Sequence, residues 1–314
     1  MSVDTGRSDD EGATGGPFRR WVDDAIRNPR KVYRAMFVTA GILILGTTLF
    51  PLWWLLMVAL STPTGVSTGV GLLPSGFAPG AFLEIFQRIP FARYMFNSLL
   101  FAGATTVVVL IIASLAGYAF GRLEFRGKGA LMLLILVISF FPPAAFFIPL
   151  FRLFTQQIAF LGVITLPVKL YNSPGAVIVP LSAVFMPLAI FILTTFYSQI
   201  PDGLENAARV EGTTRLGALF RVVIPLSAPG VATAGILTFI SVYVEFFFSF
   251  LMTGTSAADW APIVDGVISF QTQYQVRYDL MAAASLVAII PVAVLVVVAQ
   301  EKIVSGLTSG ALKE

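Results

Sequence analysis

At 314 residues with 57% hydrophobic side chains and only 12% charged, against about 25% charged in soluble domains, the chain carries more apolar surface than one water-soluble core could hide. A mean hydropathy of +0.86 agrees, and an integral membrane protein follows. Cysteine and histidine are both absent, which excludes disulfides, thiolate nucleophiles, Cys/His metal centres and imidazole-dependent catalysis; the net charge of +3 matters less than where its cations lie.

In chain order, the first sixteen residues are acidic and glycine-rich, lack a signal peptide's basic start and apolar core, and read as a disordered tail. From Phe18 to Ile26, Phe18, Val22, Ala25 and Ile26 recur at helical spacing opposite Arg19, Arg20, Asp23 and Asp24. That suits a short helix in the membrane interface or a solvated basic run before a span. Six apolar runs follow: Met36 to Leu60, Tyr94 to Gly121, Gly129 to Phe151, Gly175 to Ile200, Leu226 to Met252 and Leu280 to Gln300. Each reaches the roughly 20 residues a helix needs to cross a bilayer. They lack the ten-residue alternation of a membrane barrel, so the expected fold is all-α with six transmembrane helices.

With the N-terminus inside, fifteen of the 20 Lys and Arg fall on inside segments and only Arg88, Arg93, Arg152, Lys169 and Arg277 fall outside. The positive-inside rule then predicts both termini cytoplasmic. Residues 1–35 read as a cytoplasmic tail with the interfacial helix, 36–303 as the transmembrane domain including an inside loop at 201–225, and 304–314 as a second cytoplasmic tail. Pro51, Pro142, Pro143, Pro149, Pro180, Pro187 and Pro291 lie within spans and predict kinked helices.

The 201–225 loop is the most informative stretch. Asp202 and Glu205 have capping-box spacing, Ala207 and Ala208 favour helix at minimal bulk, and Gly212 is placed to end the helix in a left-handed cap. This predicts a small exposed docking helix whose alanine face lets another protein approach, with Glu205, Arg209 and Glu211 as charges at the rim.

Here the residues resemble the "EAA" loop of permease subunits of ATP-binding-cassette (ABC) importers, roughly E-A-A-x-x-D-G and a later I-x-L-P or I-P-L. Asn206 stands where the glutamate often is, Glu205 one place earlier, Glu211 replaces the aspartate before Gly212, and Val223-Ile224-Pro225-Leu226 fits the ending. Asn97-Ser98, Ala116 to Lys128, and Ile303 to Lys313 are similar to the carbohydrate branch of that family, to subunits like the smaller permease of maltose transporters. Tyr243-Val244-Glu245-Phe246 matches more loosely, and Leu161 to Ser173 is several residues longer than usual.

The resemblance implies a type I importer fold in a prokaryotic cytoplasmic membrane. It implies a half-channel for a sugar that pairs with a second homologous permease, two ATP-hydrolysing subunits and an extracytoplasmic solute-binding protein. ATP and magnesium would sit on the ATPases, which Glu205, Asn206, Ala207, Ala208, Arg209, Glu211 and Gly212 would contact, with Gly306, Gly310 and Lys313 of the tail beside them. This chain itself would bind no cofactor or metal and catalyse nothing. Its nearest approach to a phosphate loop has five residues between Gly121 and Gly127 where four are needed, and Gly129 where Ser or Thr must hold magnesium.

Glu245 is the one ionisable side chain inside a span, and with Asn97 and Tyr243 it is a candidate for the substrate path or gate; a structural hydrogen bond to a neighbouring helix is the other reading. In the outer segment Thr255 to Tyr278, Trp260, Gln273 and Tyr274 are candidates for contact with the binding protein, or else an aromatic belt and a polar turn. A stand-alone secondary transporter or channel predicts several intramembrane charges and inverted repeats. A membrane enzyme predicts a cluster of catalytic side chains at one depth. Neither pattern is found.

Overall fold

A computed structural model describes residues 29–155 and 170–311, with side chains described as far as Ala299. The tail with its Phe18 to Ile26 helix, most of the long Leu161 to Ser173 segment, and Lys313 therefore lie outside the described residues. The chain divides into two units, one ending at Leu55 and one beginning at Leu56. The described part of the first is α1, which starts at Pro29, carries Arg30, Lys31 and Arg34 in its first turns, is apolar from Ala35 apart from its threonines, and continues to Ala59.

In the second unit the regular secondary structure of the described residues is helical apart from two isolated bridges, Ser61 with Phe77 and Gln271 with Val276. The main helices are α2 (Phe91–Arg122), α3 (Lys128–Ser139), α4 (Phe147–Phe154), α5 (Pro174–Ser198), α6 (Asp202–Val210), α7 (Ala228–Tyr243), α8 (Phe247–Met252), α9 (Ile263–Ile268) and α10 (Tyr278–Ala311). Among the described residues, four helices are long and apolar enough to cross a membrane: α1, α2, α5 and the Tyr278–Ala299 part of α10. Two further apolar stretches are bent, Lys128–Ser139 with Pro143–Phe154 by 89° and Arg215–Leu226 with Ala228–Tyr243 by 83°.

The bends show which prolines matter. Pro51, Pro180, Pro187 and Pro291 sit inside continuous helices, where neighbouring groups absorb the missing N–H. The adjacent pair Pro142-Pro143 ends α3, because a proline disfavours helical geometry in the residue before it and two in a row remove consecutive donors. The third predicted run is thus two helices at nearly a right angle. The fifth, Leu226 to Met252, is broken as well: Val244 to Phe246 separate α7 from α8.

The core of this unit lies between α2 and α5. Val109, Ala113, Tyr118 and Phe120 pack with Ala189, Ile190, Leu193 and Tyr197. Gly117 and Gly121 form a G-x-x-x-G seam: a Cβ on Gly117 would lie 3.0 Å from Leu193 Cβ and 3.2 Å from Thr194 N, and one on Gly121 would lie 3.1 Å from the Thr194 carbonyl oxygen. The contact advances along both helices together, so α2 and α5 run parallel at near-backbone distance, the usual work of small residues in lipid. Gly230 serves α7 in the same way, since a Cβ there would run into the Phe196 ring.

Candidate functional site

The α6 segment begins where α5 ends. Gln199 and Ile200 close the preceding helix, Pro201 turns the chain with an extended ψ of 133°, and Asp202 opens α6. Gly212 stands at φ +91° two residues after α6 ends, the left-handed cap its spacing predicts. The N-terminus differs from the expected capping box. Pro201, not Asp202, occupies the cap position and no side chain caps it. Asp202 has moved one place into the first turn, and Glu205 turns away from it.

Glu205 is buried, not at the rim of an exposed face, which corrects the sequence expectation. Its Oε1 accepts the Tyr118 hydroxyl at 2.5 Å and its Oε2 accepts Arg122 Nε at 3.0 Å. Arg122 Nη1 donates to the Ile200 carbonyl at 2.6 Å and pairs with Asp202 Oδ1 at 2.9 Å. Burial by itself would raise the Glu205 carboxyl. The hydrogen bonds from Tyr118 and Arg122, with the charges of Arg122 and Arg209, outweigh that and hold it below the ordinary carboxylate range.

Asn206, Ala207, Arg209 and Glu211 are exposed and Ala208 is half-buried. The outward face thus presents a polar amide, small residues and mixed charge, flanked by Leu204 and by Val210, which is 89% exposed. A cleft of about 390 Å³ beside α6 is lined by Arg122, Glu124, Asp202, Asn206, Arg209 and Arg215. Tyr118 and Arg122 were invisible as members of this site: both lie in the recognisable Ala116 to Lys128 stretch, but 87 and 83 residues separate them from Glu205.

The candidates for a substrate path are committed elsewhere. Asn97 is 1% exposed and its amide donates to the carbonyls of Ala257 and Ala261 at 3.0 and 2.9 Å. Ser98 beside it accepts Ile263 N–H, and the Tyr94 hydroxyl donates to the Thr255 carbonyl. Asn97 therefore lashes the Thr255 to Ile263 segment onto α2. Tyr243 is buried and donates to the Ala288 carbonyl on α10 at 2.9 Å. Glu245 sits in the break between α7 and α8 and accepts Phe248 N–H at 2.8 Å, Ser249 N–H at 3.2 Å and the Ser249 hydroxyl at 3.1 Å. These local bonds satisfy the first amides of α8, the short helix that directly follows it.

Trp260 is half-buried at φ +62°, uncommon for a bulky side chain. Gln273 and Tyr274 are exposed, Tyr274 by 92%, at the tip of the turn closed by the Gln271 to Val276 bridge. Gly306 and Gly310 lie on the backbone of α10, which stays helical to Ala311.

Apolar helices with two sharp breaks, joined to a small exposed helix on a loop, define a polytopic membrane protein. The chain belongs to the family of binding-protein-dependent transport system inner membrane components, which matches residues 109–307. It is 34% identical to the sulfoquinovosyl glycerol transport system permease protein SmoH of Agrobacterium fabrum, over 88% of this chain and 93% of that protein. It is also 34% identical to the trehalose transport system permease protein SugB of Mycobacterium tuberculosis, over 90% and 98%. Among solved structures, its fold matches a chain of a bacterial ABC transporter involved in importing the acidic polysaccharide alginate, with a TM-score of 0.72 at 20% identity, covering 88% of this chain and 97% of the other. The chain is thus a permease component of an ABC importer.

Proposed function

We propose that the chain forms half of the translocation pathway of an ATP-driven importer for a sugar or sugar-like solute. It pairs with a second, homologous permease, two ATPase subunits that hold ATP and magnesium, and an extracytoplasmic solute-binding protein. The observation that carries this reading is α6: a nine-residue helix whose small, polar outward face is free while its one buried carboxylate is spent on the chain's own span. Relatives named for transport of trehalose and sulfoquinovosyl glycerol support a sugar as the solute.

In this reading each bent helix pair is one span, so the chain crosses the cytoplasmic membrane six times with both termini inside. Asn206, Ala207, Arg209 and Glu211 meet the ATPase, and the Gly306 to Lys313 tail lies beside them. Glu205 makes no such contact, because its oxygens face Tyr118 and Arg122. Trp260, Gln273 and Tyr274 face the binding protein. The chain itself hydrolyses nothing.

Mass spectrometry of what copurifies with the tagged chain, extracted gently from its native membrane, tests the assembly. A second permease, a P-loop ATPase and an exported binding protein are expected, and that binding protein should be stabilised against heat by trehalose or another member of a sugar panel. Recovery of the chain alone, or of copies of itself, would overturn the reading in favour of a stand-alone transporter or channel. Because the chain has no cysteine, single cysteines introduced at Thr5 and Leu312 test the topology. Both should resist a membrane-impermeant maleimide in whole cells and react after permeabilisation.

A further inference from the structure

The Arg122 side chain is 5% exposed and joins three places at once. Its guanidinium takes the last carbonyl before the Pro201 turn, at Ile200, the first side chain of α6, at Asp202, and the carboxylate one turn further in, at Glu205. One turn back on α2, the Tyr118 hydroxyl holds the other oxygen of that carboxylate. The same stretch of α2 carries Gly117 and Gly121, against which α5 packs at backbone distance. The end of α5, the turn and the start of α6 are therefore all fastened to one turn of α2.

A short helix hung only from the Ile200-Pro201 link would swing when pushed, and the push would be lost as rotation about that link. Fastened through a buried guanidinium, the helix cannot turn without parting Arg122 from the buried Glu205 carboxylate, a costly separation, and from the exposed carboxylate of Asp202. We infer that Arg122 and Tyr118 are positioning residues for transport, which make α2, α5 and α6 one rigid body so that a displacement of α6 is delivered to both spans together. The sharp bend at Ser227, 83° between Arg215–Leu226 and α7, lies outside this body.

The inference rests on the importer reading for its purpose but has a test of its own. Nitroxides on cysteines introduced at Gly203, where an added Cβ meets nothing, and at exposed Arg126 report the distance from α6 to the segment after α2. With the chain in lipid nanodiscs, a narrow distance distribution is expected, broadening in Arg122→Ala and Tyr118→Phe and partly narrowing again in Arg122→Lys, which restores the charge. In the assembled transporter, stimulation of ATP hydrolysis by the copurified binding protein should fall about fivefold or more in Arg122→Ala, a loss within the usual range of coupling between sites, at equal yield of complex.

A distribution that stays narrow in both variants, or stimulation that persists in Arg122→Ala, overturns the inference. Should Arg122→Ala fail to assemble, Tyr118→Phe removes a single hydroxyl and carries the test. Should no ATPase copurify with the wild-type chain, the importer reading falls, while the nanodisc measurement still decides whether the three helices form one body.

Discussion

Replacing Gly117 or Gly121 with alanine tests the α2–α5 seam on which the site is built. A Cβ at Gly117 would approach Leu193 Cβ to 3.0 Å and Thr194 N to 3.2 Å; at Gly121 it would meet the Thr194 carbonyl oxygen at 3.1 Å and Tyr197 Cβ at 3.3 Å. Most of these neighbours are backbone or first side-chain atoms, which cannot rotate away, so the helices must part. A separation of about 0.5 Å forfeits roughly a quarter of each dispersion contact along the seam, and overpacking of this kind ordinarily costs about 1–3 kcal/mol. Against that stands a gain in helix propensity of about 1 kcal/mol for Gly to Ala. The expected net loss is about 0–2 kcal/mol for each single variant.

One separation relieves both clashes, so the double variant should cost less than the two singles combined, by about 0.5 kcal/mol or more. Gly103, on the same helix with nothing within 4 Å of its would-be Cβ, supplies the control. Gly103→Ala should be neutral or stabilising. Thermal unfolding of the purified chain in detergent, followed by tryptophan fluorescence, provides the comparison. Equal melting temperatures for Gly103→Ala and the two seam variants would refute the close parallel contact.

Asp265 is buried without a hydrogen-bond partner for its Oδ2, and burial pushes its carboxyl from 3.8 up to about 6. The folded state therefore holds a proton the unfolded chain has lost, so stability should fall as pH rises from about 4 to 6 and stay lower above that. Asp265→Asn should remove this slope in melts at pH 5 and 7.5, and an unchanged slope would refute the assignment. Asn97→Ala strands two carbonyls in a buried site, costing about 2 kcal/mol, and should speed protease cleavage between Gly254 and Pro262. Gly212→Val forces a β-branched residue to φ +91°, a strain of about 1–2 kcal/mol or more. It should lower uptake of whichever sugar binds the copurified binding protein while leaving the chain in the membrane, and wild-type uptake would count against α6 as the docking element. Glu245→Ala leaves the Phe248 and Ser249 amides uncapped, at a cost of about 1 kcal/mol, visible as faster hydrogen exchange at those two positions.

The apolar runs, the helix at Asp202 to Val210 and its glycine stop were legible because they depend on near neighbours. Hydropathy adds up along a window, and the left-handed position after a helix selects glycine by the absence of a Cβ. The family too was legible, since its motifs are contiguous in sequence. The fate of each polar side chain was not. Glu205 has an acid's composition and an exposed loop's address, yet it faces inward because Arg122 and Tyr118 arrive from a helix more than 80 residues away.

Asn97 and Tyr243 likewise read as polar groups free to meet a solute, and tertiary packing gives each a backbone carbonyl instead. The prolines make the same point. The sequence counts them, but whether one bends a helix depends on what can satisfy the freed carbonyl: Pro180 and Pro187 stay within α5, while Pro142-Pro143 ends α3. Sequence alone determined where the chain is apolar enough to enter lipid and where a short helix with a glycine stop forms between the apolar runs. Only the tertiary structure decided which side chains remain free to act, because a buried hydrogen bond is settled by its partner, and the partner comes from a distant part of the chain.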